Sequence, residues 1–236
     1  LHAHIGSQIF EIDPHHDLVK VMIESLLLAD KIGHSIKDLN VGGGLGVKYV
    51  FSDDPPSINK WIKVISDSVV EACKSKNIPL PRLMCEPGRS LVSSSGVTLY
   101  TIGARKNIPG IRTYISVDGG MSDNPRPITY QSLYTACLAD RALEENNEVV
   151  TVAGKHCESG DILLKDYPLP VIKSNEVLCV FGTGAYNFSM SSNYNRIPRP
   201  AAVIVNNGFS EIVQRRETTE DLLRMDVLPD RFIGVH

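Results

Sequence analysis

The sequence predicts a mixed fold: the C-terminal part of a (β/α)8 barrel, followed by an antiparallel β domain. Short apolar strands that end in glycine alternate with amphipathic helices over residues 1–95. From about Ser93 onward, strand-like runs follow one another with little helix between them. A closed barrel needs about 250 residues. We therefore interpret the few strand–helix units here as the back portion of a barrel whose front portion is missing.

In the α/β segment, each predicted strand is followed by glycine and polar residues. The strands are expected at Leu1–Ile5, Leu39–Val41 and Arg82–Cys85. The helices between them begin at Asp13–Pro14 and Ser57, residue types that favour the first turn of a helix. Functional residues are expected in the glycine-rich turns, because ligands bind at the C-terminal ends of parallel strands. The helices' apolar faces comprise Leu18, Val21, Met22, Leu26 and Ala29, and then Ile58, Ile62, Ile65 and Val69.

The β domain is predicted to cover residues 96–236. Its last two strands should form a hairpin around Asn207–Gly208, because both turn residues tolerate positive φ. A short helix near Thr218–Arg224 follows, and terminal helices are expected to return to the barrel. The predicted strands are Val97–Ile102, Ile111–Val117, Val149–Val152, Val177–Phe181, Ala201–Val205 and Phe209–Val213.

Composition excludes several classes of function. A formal net charge of −3 gives no basic surplus, so nucleic acid is a poor candidate partner. No apolar run reaches the ~20 residues that a membrane helix needs. The five cysteines show no CxxC spacing, which argues against a zinc site and against a disulfide framework. A reducing, cytoplasmic location fits best, although organelle targeting stays open because the chain does not begin with methionine.

The run Gly42–Gly46 after a strand is the first candidate site. Glycines let backbone N–H groups approach a phosphate closely. The spacing does not match the dinucleotide pattern GxGxxG, which would need glycine at Val47. A plain tight turn remains an equally good interpretation of this run alone.

Three further runs place reactive groups at turns. His4–Gln8 contains an imidazole and a hydroxyl, Glu86–Arg89 contains both charge signs, and Cys157–Asp161 contains a thiol and two carboxylates. Each has an ordinary structural interpretation when considered alone. These are a buried histidine with a partner, a surface turn with a weak ion pair, and a β-turn.

Taken in order, the runs resemble a known family. HIGSQ, GGGLG, EPGR, DGGMSDNPRP, CESGD, GTGAY and SSNYN occur in an order similar to that of the diaminopimelate decarboxylase family, within the alanine-racemase-like (fold type III) pyridoxal-phosphate enzymes. The resemblance extends from His4 to the RRETTEDLLRMD segment. GGGLG and EPGR are shared with the wider decarboxylase class. The combination of DGGMSDNPRP, CESGD and SSNYN is specific to the diaminopimelate branch.

The resemblance implies pyridoxal 5′-phosphate as cofactor. His4 would stack on the cofactor ring, and Glu86 would keep the ring nitrogen protonated, which favours carbanion formation. Ser7 and the glycine backbone would hold the phosphate. The cofactor-binding residues are then His4, Ser7, Gly42, Gly43, Gly44, Glu86, Gly88, Arg89 and Tyr186.

The resemblance also implies a homodimer with its active site at the interface. Cys157 would be the acid that reprotonates the substrate carbon, and Glu158 would contact the distal ammonium group, both donated across the interface. Guanidinium groups suit carboxylates because they donate two parallel hydrogen bonds. The remaining substrate-binding residues are Arg89, Arg126, Tyr130 and Tyr186.

The implied reaction is decarboxylation of meso-2,6-diaminopimelate to L-lysine and CO2, the last step of lysine biosynthesis. The family forms a Schiff base with a lysine upstream of the HIGS run, and no lysine here occupies such a position. The chain is therefore expected to be incomplete. The alternatives are a decarboxylase of another basic amino acid or polyamine precursor, a non-catalytic relative, and a pyridoxal-phosphate carrier or racemase.

Overall fold

The structure, a computed structural model, describes residues 1–232. Residues 233–236 of the predicted β domain lie outside the described residues. The helices are α1 (Asp13–Lys31), α2 (Ile58–Lys76), α3 (Gly88–Val92), α4 (Arg126–Tyr130) and α5 (Thr219–Leu223). The strands are β1 (Asp38–Asn40), β2 (Arg82–Met84), β3 (Val97–Ile108), β4 (Arg112–Val117), β5 (Ala136–Leu138), β6 (Glu148–Ala153), β7 (Ile162–Leu169), β8 (Val177–Phe181), β9 (Ala202–Asn206) and β10 (Phe209–Gln214).

The chain divides into two compact units. The first unit comprises Leu1–Thr98, Leu133–Ala136 and Cys179–Tyr186. The second unit comprises the remaining segments, which begin at Leu99, Cys137 and Asn187. Each unit contains several of the predicted site residues.

In the first unit, α1 and α2 cover the parallel pair β1 and β2. Leu39 of β1 is completely buried in this core. The helix starts are confirmed: proline lies in the first turn of α1, and the Ser57 hydroxyl accepts a hydrogen bond from the Lys60 N–H. Burying one aliphatic side chain such as Leu39 stabilises the fold by about 1.5–3 kcal/mol. The buried helical residues include Leu18, Val19, Met22, Ile23, Leu26, Trp61, Ile65, Val69 and Cys73.

Three details of the first unit differ from the prediction. Ile58, expected on the apolar face of α2, is 38% exposed. Val21 is 60% exposed, because the buried face of α1 follows Val19, Met22 and Ile23 instead. The predicted strand Leu1–Ile5 is reduced to one parallel bridge, between His2 and Asn40. Leu1 and Ile5 are each 40% exposed, so this segment is not a buried strand.

His15 is a buried histidine in the core of the first unit. It is 1% exposed, and neither ring nitrogen has a hydrogen-bond partner among the described residues. Its ring packs edge-on against Trp61, with 5.6 Å between centroids. Burial lowers the pKa of His15 from its ordinary value of 6.5, with a smaller contribution from His4. The neutral ring is therefore the form that the fold accommodates.

Replacing His15 with phenylalanine is expected to reduce the loss of stability at acid pH. A histidine whose pKa is lowered by folding contributes stability that is complete above about pH 6.5 and is lost as the pH falls below it. Phenylalanine keeps the aromatic contact without unpaired nitrogens, so the variant should be at least as stable at pH 7.5. Urea unfolding of the full-length protein at pH 7.5 and 5.5 measures this, with the exposed His34→Gln as control. An equal pH dependence in wild type and His15→Phe would contradict it.

The second unit is built mainly from strands. Within residues 1–232, β4, β6 and β7 of this unit belong to a six-stranded sheet with the order β5-β8-β3-β4-β6-β7. The predicted strands are confirmed within a few residues, except that β3 continues to Ile108. Strands β5 and β7 were missed, and the expectation of a purely antiparallel sheet is wrong, because β4 and β6 pair in parallel. Pro168 lies within β7, and a proline argues against a strand when only the sequence is considered.

The predicted hairpin β9–β10 is confirmed. Asn207 and Gly208 have φ of 49° and 80°, as its turn requires. Apolar side chains are exposed on both faces of this hairpin, including Val205 at 72% and Phe209 at 77%. The short helix α5 follows, and Thr218 and Asp221 form a capping box at its start.

Within residues 1–232, no helix is both long and apolar enough to span a bilayer. The same residues contain no cluster of three or more histidine, cysteine or acidic side chains arranged to hold a metal ion.

Candidate functional site

The glycine run of the first unit passes very close to neighbouring backbone. A Cβ atom at Gly43 would lie 2.2 Å from the Glu86 carbonyl oxygen, and one at Gly44 would lie 2.4 Å from the Gly6 carbonyl oxygen. Gly42 and Gly44 also have φ of 68° and 99°. Both sterics and conformation therefore require glycine here. The glycine run thus brings the predicted segments His4–Gln8, Gly42–Gly46 and Glu86–Arg89 into contact at the C-terminal ends of β1 and β2.

His4 is oriented by this turn. The Gly43 N–H donates to His4 Nδ1 at 3.2 Å, so Nδ1 is the acceptor and the ring proton lies on Nε2. The ring is otherwise exposed. Of the predicted alternative, a buried histidine with a satisfied partner, the burial is therefore wrong for His4, whereas the partner is present as the Gly43 N–H.

Glu86 follows β2 and is held by two residues that the sequence analysis missed. Asn40 Nδ2 donates to Glu86 Oε1 at 2.7 Å, and His2 Nε2 lies 3.4 Å from Glu86 Oε2. Asn40 Oδ1 also accepts from the Gly42 N–H at 2.9 Å. A single asparagine thus joins the glycine turn to the carboxylate. In the sequence, the one sign of this role was the position of Asn40 immediately before Val41 and the glycine run.

Arg89 is the most enclosed charged group of this region, with 8% of its surface exposed. Its NH1 donates to the Tyr49 hydroxyl at 2.6 Å and its NH2 to Ser7 Oγ at 3.0 Å. The Tyr186 ring lies 4.6 Å from the guanidinium carbon, a cation–π distance. Arg89 Nε has no partner among the described residues. Tyr49 was not predicted, and no motif pointed to it.

These groups fit a phosphorylated ring cofactor. A cationic guanidinium with one unused buried N–H and a serine hydroxyl suit a phosphate. The exposed His4 imidazole suits stacking on a ring, and the Glu86 carboxylate suits a contact to a ring nitrogen. Both groups are anchored at the glycine turn. Gly88 is exposed, has open space around it, and donates its N–H to the Glu86 carbonyl at 2.8 Å.

In the second unit, the turn Cys157–Asp161 is tied down by Asp161. This carboxylate is 3% exposed and accepts from His156 Nδ1 at 2.7 Å and from the Met121 N–H at 2.7 Å. Asp161 therefore links the turn to the segment that begins at Asp118. A buried hydrogen-bonded pair of this kind fixes local geometry.

Cys157 and Glu158 project from this turn. The Cys157 side chain is an exposed free thiol, and its backbone N–H donates to Asn195 Oδ1 at 2.8 Å. Glu158 Oε2 accepts from the Tyr194 hydroxyl at 3.1 Å. The Gly160 N–H, and then the Tyr194 hydroxyl, lower the pKa of Glu158, so the carboxylate is ionised at neutral pH.

Helix α4 carries the other two predicted residues of the second unit. Arg126 is 6% exposed, and its NH2 donates to Ser132 Oγ at 3.1 Å. Tyr130, 60% exposed, lies with its ring 5.7 Å from the Arg126 guanidinium carbon. Ile128 of the same helix lies against Gly160, so α4 is a neighbour of the Cys157–Asp161 turn.

A cleft of the first unit lies away from all of these groups. Its volume is about 680 Å³, and its lining includes Leu26, Ile36 and Leu80. Asp38 and Arg82, the first residues of β1 and β2, also line it. It thus lies at the opposite ends of the strands from Glu86, and it contains none of the predicted site residues.

The structure gathers the predicted residues in two groups, one in each unit. His4, Ser7, Glu86, Arg89 and Tyr186 join the glycine run in the first unit, as do Gly42, Gly43, Gly44 and Gly88. Arg126, Tyr130, Cys157 and Glu158 belong to the second unit.

Comparison with known proteins agrees with this organisation. Residues 1–93 match the family model described as pyridoxal-dependent decarboxylase, pyridoxal binding domain. Diaminopimelate decarboxylase from Synechocystis sp. is 58% identical over 99% of this chain and 50% of the relative. The enzyme of that name from Bacillus subtilis is 44% identical over 96% of this chain and 52% of the relative.

Solved structures show the same likeness. The crystal structure of diaminopimelate decarboxylase from M. jannaschii in complex with L-lysine superposes with a TM-score of 0.89 at 32% identity. The superposition covers 98% of this chain and 52% of that chain. The chain therefore spans about half the length of the relatives it matches.

Proposed function

We propose, from the similarity of almost the whole chain to about half of each diaminopimelate decarboxylase compared above, that it is part of an enzyme of this kind. The full-length protein would catalyse the pyridoxal-phosphate-dependent decarboxylation of meso-2,6-diaminopimelate to L-lysine and CO2, the last step of lysine biosynthesis. The observation that carries the proposal is that Glu86 and His4 are both hydrogen-bonded to the glycine run, while Arg89 binds Ser7 in the same segment as His4. The α/β segment is then the back portion of a (β/α)8 barrel, followed by the β domain.

The first unit would bind the cofactor. Ser7, Arg89 and the glycine backbone would hold its phosphate, and His4 would lie against its ring. When bound, pyridoxal phosphate supplies the electron sink that decarboxylation needs. Glu86 would keep a proton on the ring nitrogen, because an adjacent carboxylate stabilises the cationic ring. Asn40 and His2 support this role, since they hold both Glu86 oxygens.

The substrate carries two amino-acid ends, and the second unit would recognise the distal one. Arg126 and Tyr130 would bind the distal carboxylate, and Glu158 would bind the distal ammonium group as an ionised partner. Arg89 was expected to serve both cofactor and substrate. Its hydrogen bonds to Ser7 and Tyr49 favour the cofactor role over the substrate role.

Cys157 would donate the proton that the substrate carbon receives after CO2 leaves. Its exposed thiol, on a turn anchored by Asp161, is suited to act on a neighbouring molecule. We propose a homodimer in which Cys157 and Glu158 of one copy complete the active site of the other.

The five cysteines are free thiols, which supports the prediction of a reducing, cytoplasmic location.

A substrate panel tests the proposed reaction. The full-length protein, loaded with pyridoxal phosphate, is expected to prefer meso-diaminopimelate over ornithine or arginine by about 10³-fold or more in kcat/KM. A buried polar site that is left unpaired discriminates by about 10⁴-fold, and neither competitor has a second α-carboxylate for Arg126. Release of CO2 from each substrate measures the ratio. Comparable turnover of ornithine would instead support a polyamine-forming enzyme.

A further inference from the structure

The segment Ser191–Arg196, here called the asparagine–tyrosine turn, has no role in the proposed reaction, yet it contacts both residues assigned to the substrate. The Tyr194 hydroxyl donates to Glu158 Oε2 at 3.1 Å. The next residue, Asn195, accepts from the Cys157 N–H at 2.8 Å. Tyr194 and Asn195 thus hold Glu158 and Cys157, two adjacent residues of the Cys157–Asp161 turn.

The asparagine–tyrosine turn is itself firmly anchored within the second unit. Asn193 Nδ2 donates to Glu217 Oε2 at 2.6 Å, and the Ser192 N–H donates to the Ser122 carbonyl at 2.8 Å. Glu217 is paired with Arg199, and this hydrogen bond is the main cause that lowers the pKa of Glu217 to about 2. The acceptor for Asn193 is therefore ionised at neutral pH.

The backbone of the turn adopts a conformation that costs free energy. Asn195 and Arg196 have φ of 55° and 59°, in the left-handed region. Asparagine tolerates this conformation, whereas arginine does so less readily. Strained backbone of this kind persists only where surrounding contacts hold it. Here it directs the Asn195 side chain to the Cys157 amide.

We infer that Tyr194 and Asn195 are positioning residues for Glu158 and Cys157. The inference rests on the proposed function, in which those two side chains act on the substrate. Glu158 Oε1 accepts from the Gly160 N–H at 3.3 Å, so Tyr194 completes the fixation of the carboxylate by taking its other oxygen. Oε1 also accepts from the Ser159 hydroxyl at 3.5 Å, whereas Oε2 accepts only from Tyr194 among the hydrogen bonds described and keeps a lone pair for an ammonium group. Catalysis and recognition both depend on such preset geometry.

A double-mutant cycle on the full-length holoenzyme tests the Tyr194 contact. Tyr194→Phe is expected to raise KM for diaminopimelate about tenfold, the effect of one hydrogen bond to a charged group, with kcat changed less than about threefold. In a Glu158→Gln background the same substitution should have little further effect. Tyr114→Phe, on β4 of the same unit, is the matched control. Equal effects of Tyr194→Phe in both backgrounds would mean a merely structural role and would overturn the inference.

Amide hydrogen exchange tests the Asn195 contact without any assay of activity. Asn195→Gly keeps the left-handed backbone and removes the acceptor, so exchange of the Cys157 amide should accelerate about tenfold or more. Asn195→Asp keeps both an acceptor and a tolerance for positive φ, and should restore slow exchange. If Asn195→Gly exchanges as slowly as wild type, or if Asn195→Asp is no better than glycine, the inference is wrong.

The same experiments separate this inference from the proposed function. If Glu158→Gln leaves KM for diaminopimelate unchanged, the assignment of Glu158 to the substrate fails, and the positioning role fails with it. If Glu158→Gln raises KM but Tyr194→Phe does not, the proposed function stands and only the positioning role is lost. If slow hydrogen exchange of the Cys157 amide depends on Asn195, the contact between Asn195 and Cys157 is supported in either case.

Discussion

Replacing Glu86 with glutamine in the full-length holoenzyme is expected to lower kcat by about 100-fold or more. Glutamine keeps an oxygen for the Asn40 side-chain amide, so the turn after β2 should remain in place. It cannot supply the negative charge that keeps the cofactor ring nitrogen protonated. A charge-assisted contact to a reacting group is worth about 3 kcal/mol or more, and each 1.36 kcal/mol is tenfold in rate. Steady-state CO2 release measures the effect.

Two further measurements make the Glu86 prediction specific. Cofactor content, measured by absorbance after gel filtration, should stay near that of wild type, so that the loss is in the chemical step. Glu24→Gln, an exposed carboxylate on α1, serves as the matched control and should keep full activity. A Glu86→Gln enzyme within a few-fold of wild-type kcat would remove the proposed role of this residue.

Replacing Gly43 with alanine is expected to cause the largest structural effect, a loss of roughly 3 kcal/mol or more in the free energy of unfolding, at the upper end of overpacking effects. The added Cβ would lie 2.2 Å from the Glu86 carbonyl oxygen and 2.9 Å from its carbonyl carbon. Both atoms are backbone, so no side-chain rotation relieves the clash. The separation of β1 from β2 would have to increase, and Asn40 would lose its hold on Glu86. Urea unfolding and cofactor titration report the two consequences.

Gly33→Ala provides the comparison for Gly43→Ala. Gly33 has φ of 90°, but a Cβ there would meet nothing within 4 Å. Its substitution should therefore cost only the conformational penalty, about 1–2 kcal/mol. If both variants lost the same stability, close packing at Gly43 would not be the cause.

The sequence was most informative where local chemistry decides the structure. Ser57 starts α2, and Asn207–Gly208 turns the last hairpin, because capping and positive φ are properties of single residues. The glycine run was left undecided between a tight turn and a phosphate site. Its close approach to residues 6 and 86 depends on segments far apart in the chain, which no local pattern reveals.

The errors arise where distant contacts override local pattern. Val21 fits the helical spacing of α1 but lies beyond the arc that the core covers. The parallel pairing of β4 with β6 depends on topology and not on the composition of either strand. Asn40, Tyr49, Tyr194 and Asn195 were not assigned to the site, because their roles come from the partners that the fold supplies.

The β9–β10 hairpin has a practical consequence for anyone who produces these 236 residues as a separate polypeptide. A two-stranded ribbon is marginally stable on its own, and exposed apolar strands recruit other strands edge to edge. Six of its large side chains, Val203, Ile204, Val205, Phe209, Ile212 and Val213, are each about half exposed or more. We expect such a polypeptide to accumulate in inclusion bodies or on chaperones. Replacing Val205 and Phe209 with lysine and threonine should then increase the recoverable yield.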